Sequence, residues 1–340
     1  PAEIRRLRFF VPCAADRGLG FANFRKACMI GGVEPVYFIL GCTGCGKGAL
    51  GREIARQTSG SILSVDSMKV YRRMDIGTNK PSAEIRAAIP HYGLDLVEPW
   101  ETYSVADYVK HAHSAIADIR AAGSVPLLVG GTSLYIKALY DGLFEGPGSD
   151  EALRAELAAR IATEGAEIVH AELAAVDPAS AERIHPNDER RIIRALEVYR
   201  LAGKPLSELQ TQWEANRPKL NAVRIGIRRE RELQNRKTNA RAKAMLEAGL
   251  VDEVRALYDD PQGLSETARL AVGYAELFPY FEGKTTLDKA IERIKINTRQ
   301  LAKKQRTWHR RWADVQWFDV AEDDTAESVA ARVLAKVEVR

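Results

Sequence analysis

The order of apolar runs, glycine turns and helical stretches predicts an α/β protein: a doubly wound parallel sheet carrying a helical insertion domain. Three observations predict it. The apolar run Val36 to Leu40 ends in Gly41-Cys-Thr-Gly-Cys-Gly-Lys-Gly48 just before a helical pattern. Strand-like and helix-like stretches then alternate through Val125–Val129. From about Gly148 the chain becomes Ala- and Glu-rich helix with no strand signals. The glycine turn makes the sheet P-loop NTPase-like, because glycines let successive N–H groups point inward around a phosphate and the lysine adds a cation at a helix N-terminus.

Taken in order, residues 1–33 show scattered arginines without periodicity and are expected to be a disordered extension, with Met29 a possible natural start. The cradle comprises Gly41, Cys42, Thr43, Gly44, Cys45, Gly46, Lys47 and Gly48. Its last position departs from the usual pattern, which places a Ser or Thr hydroxyl there for Mg²⁺. The helix after it runs to Gly60, and the strand Ile62–Val65 delivers Asp66 to its carboxyl end. Ligands of open parallel sheets bind at that edge, so Asp66 is expected beside Lys47. Ser104-Val-Ala-Asp107 reads as a capping box opening the next helix, and the strand Val125–Val129 brings Gly130, Gly131 and Thr132 to the same edge.

The insertion is expected over 148–207, flanked by core segments 34–147 and 208–318, with 319–340 a tail. Inside it, His185-Pro-Asn-Asp188 marks a break and an N-cap before a helix carrying Arg190, Arg191 and Arg194. Val223–Ile227 alternates like a strand rejoining the sheet. On the long helix from Leu287 to Trp308, Ile291, Ile294, Thr298, Leu301 and Trp308 form an expected buried stripe, and Lys295, Arg299, Lys303, Arg306 and Arg310 an expected basic ridge.

Composition bounds the partners. The chain has 340 residues, 46% hydrophobic and 28% charged, with net charge +4, and no apolar run reaches the length of a membrane span. Lys295 to Arg311 holds seven Lys or Arg and no acid, which suits a polyanionic partner. Cys13, Cys28, Cys42 and Cys45 make neither a disulfide framework nor a four-ligand zinc set. They fit a reducing, cytoplasmic setting. The expected state is a monomer.

Asp66-Ser-Met-Lys-Val-Tyr-Arg-Arg-Met-Asp-Ile-Gly-Thr-Asn-Lys-Pro-Ser82 resembles the segment after the phosphate loop in bacterial-type tRNA dimethylallyltransferases. Leu128 to Tyr135, Ile184 to Asp188 with Arg194 to Glu197, Val272 to Tyr274 and Thr298 to Trp308 resemble further segments of that family in the same order. The resemblance covers about residues 34 to 318. It implies transfer of a dimethylallyl group from dimethylallyl diphosphate to the exocyclic amine of the adenosine 3′-adjacent to the anticodon of tRNA. It also implies a channel open to the tRNA anticodon stem-loop at one end and to the prenyl diphosphate at the other.

The chemistry of the residues agrees. A weakly nucleophilic amine needs a base, and Asp66 is the candidate. A departing diphosphate needs fixed donors, which the cradle and Lys47 supply. By similarity to the family, Arg241 adds a second cation and Thr132 stands beside the reacting adenosine, with an N-cap as its alternative role. Asp66, Ser67, Met68, Lys69 and Thr132 are the expected base contacts. Arg154, Arg190, Arg191, Arg194, Lys303, Lys304, Arg306 and Arg310 are the expected tRNA backbone contacts, and Mg²⁺ is expected on Asp66 and Thr43. Lys69 stands where the family usually has glutamine, and Arg236-Lys-Thr-Asn-Ala-Arg241 matches its family pattern only in part. A prenyltransferase acting on free adenine nucleotides, a P-loop small-molecule kinase and a non-catalytic RNA-binding protein are the alternatives.

Overall fold

The computed structural model describes residues 35–143, 146–216 and 220–337; the extension expected over 1–33, with Cys13 and Cys28, lies outside them. The chain divides into two compact units, one running to Ala138 and resuming at Leu220, the other Leu139–Lys219.

In the first unit, the β-branched and aromatic run of β1 (Val36–Leu40) is buried throughout. Helix α1 (Lys47–Thr58) buries Leu50, Gly51, Ile54 and Ala55 and stops where Ser59 turns left-handed. Then follow β2 (Gly60–Val65), α2 (Ala83–Ala88), β3 (His91–Tyr92) and α3 (Val105–Ala121). The expected capping box is present: the Ser104 hydroxyl accepts the Asp107 N–H, and the Asp107 carboxylate accepts the Ser104 N–H. Strand β4 (Val125–Gly130) leads into α4 (Ser133–Asp141).

The second unit is helical: α5 (Glu151–Glu164), α6 (Ala166–Val176), α7 (Pro178–Arg183), α8 (Glu189–Ala202) and α9 (Leu206–Asn216). Its core is Leu157, Ile161, Val169, Leu173, Ile192 and Leu196. Asp188 caps α8 by accepting the Arg191 N–H, as the sequence predicts.

Back in the first unit, β5 (Ala222–Arg228) is followed by α10 (Arg231–Glu247), α11 (Leu250–Tyr258), α12 (Glu266–Arg269), α13 (Phe278–Phe281) and α14 (Leu287–His309). The chain then adds β6 (Gln316–Asp319) and α15 (Ala326–Lys336). The stretch expected as a tail is therefore part of the core. Its first residue ends β6, and Val329, Ala330 and Val333 of α15 pack into the main apolar cluster with Leu50 and Ile54 of α1.

All strand pairs are parallel, in the order β3-β2-β4-β1-β5-β6. Strand β1 sits where the order reverses, the position at which such sheets bind ligands. Register then does the placing. Gly130 pairs with both Leu40 and Val65. The residues that follow, Gly41, Asp66 and Gly131, therefore emerge together at one carboxyl edge.

The stripe on α14 differs from expectation. Its buried positions are Ala290, Ile294, Thr298, Ala302 and His309, while Leu301 is 37% exposed and Trp308 is only partly covered. The helix runs against the glycine turns of the sheet edge, where small side chains permit close approach. A search for bulky apolar residues picks the wrong neighbour of Ala302.

Candidate functional site

The glycine turn after β1 is left-handed at Gly44 (φ 81°) and Gly46 (φ 101°), conformations open to glycine. Its carbonyls are held from outside. Gln234 Nε2 donates to the Thr43 carbonyl at 2.6 Å, and Arg229 Nε donates to the Cys45 carbonyl at 3.0 Å. The N–H groups of Gly44, Gly46 and Gly48 have no backbone acceptor among the described residues. With those donors unpaired and the carbonyls tied back, the turn offers N–H groups to an anion at the start of α1.

Gln305 of α14 joins this turn to its neighbour. Its Oε1 accepts the Thr43 N–H at 2.8 Å while its Nε2 donates to the Gly131 carbonyl at 2.8 Å. A Cβ at position 131 would lie 2.6 Å from that nitrogen, so the bridge requires glycine there. Sequence reasoning missed Gln305, although it lies inside the segment Thr298–Trp308.

Asp66 follows β2, and its Oδ1 accepts the Met68 N–H at 3.0 Å. Thr132 Oγ1 accepts the Ser67 N–H at 3.0 Å, so the hydroxyl ties the ends of β2 and β4 together instead of capping α4. Arg241 of α10 reaches the turn and donates to Thr43 Oγ1. Burial works against its charge, and the nearby Asp66 carboxylate supports it. Lys47 Nζ lies 3.5 Å from the Cys42 carbonyl. Lys69 thus stands among Asp66, Lys47, Arg241 and Arg52, and Asp66 acts on both Lys69 and Arg241.

The loop after Asp66 is anchored by residues the sequence reading did not single out. Glu253 of α11 accepts the N–H groups of Asp75, Ile76 and Gly77 and also the Tyr274 hydroxyl. Lys80, its side chain 1% exposed, is paired with Asp75 and Asp95. These contacts hold Lys69 in place, with its Nζ donating to the Asn79 carbonyl at 2.9 Å.

Lys69 is half-buried, and burial, reinforced by Lys47, Arg241 and Arg52, lowers its pKa to about 8 against the pull of Asp66. Between that value and lysine's ordinary one the unfolded chain holds the extra proton, so this group's contribution to stability rises with pH across that window. Anion binding follows the opposite sign. The affinity for inorganic diphosphate, taken as the ratio of wild type to Lys69→Gln, should fall as pH rises through about 8. Titrations from neutral to alkaline pH check this; a flat ratio would show that Lys69 does not face the anion.

Mg²⁺ held by Asp66 and Thr43 does not fit these donors. The Thr43 hydroxyl already accepts from a guanidinium, Gly48 offers no hydroxyl, and Asp66 is a single carboxylate among cations.

Several expected tRNA contacts are engaged elsewhere. Arg154 and Arg194 both bind the buried Glu197 carboxylate, at 2.8 and 2.6 Å. Each has a structural task as the counter-charge of a buried acid. Arg190 and Arg191 are exposed, with Arg191 3.4 Å from Asp188. On α14 the expected ridge is split. Lys295 pairs with Glu292, and Arg299 and Arg306 turn to Asn239 and Gln234 of α10. Lys303, Lys304 and Arg310 are exposed and have no side-chain partner among the described residues.

The chain is similar to proteins already known. The family model described as IPP transferase matches residues 69–312, and that described as isopentenyl transferase matches residues 34–88. The chain is 45% identical to the tRNA dimethylallyltransferase of Geobacillus kaustophilus, over 90% of this chain and 94% of the relative. Against the full-length tRNA isopentenylpyrophosphate transferase of Bacillus halodurans the structure gives a TM-score of 0.65 at 38% identity, covering 90% and 97% of the two chains. A eukaryotic dimethylallyltransferase described as acting on tRNA gives 0.76 at 27% identity, covering 88% of this chain and 77% of the other. No helix among the described residues is long and apolar enough to cross a membrane.

Proposed function

Because the chain belongs to the IPP transferase family, we propose that it transfers a dimethylallyl group from dimethylallyl diphosphate to the exocyclic amine of the adenosine 3′-adjacent to the tRNA anticodon, releasing diphosphate. The observation that carries this reading is the meeting, at one sheet edge, of a single carboxylate, an N–H cradle and a group of cations, on a chain aligned nearly end to end with tRNA dimethylallyltransferases.

The residues divide the work. The new carbon–nitrogen bond forms as the carbon–oxygen bond to diphosphate breaks, and the amine proton passes to Asp66. The electrons of the broken bond go to a diphosphate oxygen held by the glycine turn, Lys47 and Arg241. Thr132 and the Ser67 to Lys69 turn frame the base, which has to leave its stack to reach Asp66. A small-molecule kinase would need metal-held nucleotide phosphates, and this donor set does not favour them.

Incubation with labelled dimethylallyl diphosphate and unmodified tRNA tests the reading, with AMP and ATP as rival substrates. Label in tRNA supports it. Label in AMP alone would make this a free-nucleotide prenyltransferase.

The outward cations of α14 give a separate expectation. Replacing Lys303 and Arg310 by alanine should weaken tRNA binding and reduce its salt slope by roughly 0.7 to 0.9 for each phosphate no longer neutralised. Affinity for the small prenyl diphosphate should hold. Affinities measured over a salt series check this, and an unchanged slope would remove these residues from the RNA interface.

A further inference from the structure

We propose that Arg52 and Lys69 take over at the diphosphate the electrostatic work a divalent cation would do, so that this site holds its prenyl diphosphate without metal. The inference rests on the function proposed above and concerns how its leaving group is stabilised.

Position 48, where a phosphate loop ordinarily carries the metal-binding hydroxyl, is glycine. The vacated space has a neighbour. A Cβ built on Gly48 would meet Arg52 Nη1 at 3.5 Å and nothing else within 4 Å, so the guanidinium of the next helical turn lies beside the missing hydroxyl's place. Arg52 has no acidic partner among the described residues, although Glu53 is its chain neighbour; that carboxylate is taken by Arg56 and Gln57. Burial disfavours its charge, which makes an unpaired guanidinium there costly unless an anion completes it.

Lys69 is the second substitute. Its side chain ends on a neutral carbonyl, that of Asn79, and shares its surroundings with Lys47, Arg241 and Arg52. Asp66 is the one acid in that group. A dication entering here would meet like charge at short range, whereas a diphosphate would meet complementary charge. A guanidinium also matches phosphate geometry with paired N–H donors. As the carbon–oxygen bond breaks, charge growing on the diphosphate oxygens meets ammonium and guanidinium groups already in place.

The test is calorimetric binding of the unreactive thiolodiphosphate analogue of dimethylallyl diphosphate, in EDTA and in Mg²⁺. Wild type should bind in both with dissociation constants within about fivefold. Arg52→Gln should weaken metal-free binding by about tenfold or more, the loss expected of one charge-assisted bond. The double variant Gly48→Thr, Arg52→Ile restores the hydroxyl and removes the guanidinium, and should bind well only with Mg²⁺. Position 48 has room for the new side chain, and thermal melting verifies that each variant folds. A wild-type dissociation constant raised more than about fivefold by EDTA overturns the proposal. So does metal-free binding that Arg52→Gln leaves unchanged. No binding in either condition would overturn the diphosphate site itself, an outcome separate from metal-dependent binding.

Discussion

Asp66→Asn will lower the turnover of tRNA prenylation by at least ~100-fold, the size of effect removal of a general base produces. The asparagine oxygen can still accept the Met68 N–H that Oδ1 accepts now, so the turn after β2 keeps its shape and tRNA affinity should persist. A second effect runs the other way. Asp66 is the acid among Lys47, Arg52, Lys69 and Arg241, and neutralising it leaves their charge unopposed. Affinity for the prenyl diphosphate should therefore rise while turnover collapses. That split separates a base from a scaffold residue, whose loss would damage both. Steady-state kinetics with each substrate varied in turn decides the matter, and near-normal turnover would remove Asp66 from proton transfer.

The edge that carries this chemistry was legible because strand endings are punctuated in the sequence. Glycines end β1 and β4 and an aspartate follows β2, so Gly41, Asp66 and Gly131 could be assigned to one crevice before the register confirmed it. What could not be read was support from distant parts of the chain. Gln305 bridges Thr43 to Gly131 across a long sequence separation, and Glu253 holds three N–H groups of the loop after Asp66. Neither amide nor carboxylate has a local pattern that announces such a task.

Two strands were missed for a related reason. His91–Tyr92 is too short for alternation, and Gln316–Asp319 carries a polar residue at each end. Their assignment comes from the neighbours that pair with them. Charge runs misled in the opposite direction, because composition does not say where a long side chain ends. Arg299 and Arg306 look like a solvent ridge in sequence but terminate on α10, and Arg154 and Arg194 are committed to Glu197.

Arg241→Gln should cost about 100- to 1,000-fold in turnover, the range seen when one preorganised donor to developing charge is removed. Of Lys47, Arg52, Lys69 and Arg241, Arg241 alone comes from α10, and it reaches the glycine turn through the Thr43 hydroxyl. Its burial makes the charge strong at short range, since little water intervenes. If it meets the diphosphate as the carbon–oxygen bond lengthens, glutamine lowers kcat and kcat/KM together and leaves tRNA affinity alone. Arg241→Lys should recover only part of the loss, because an ammonium restores charge but lacks the planar fork. A rise in KM for dimethylallyl diphosphate with kcat intact would assign Arg241 to ground-state binding. In that event the charge growing on the leaving group would fall to Lys47, Arg52, Lys69 and the N–H groups of the turn.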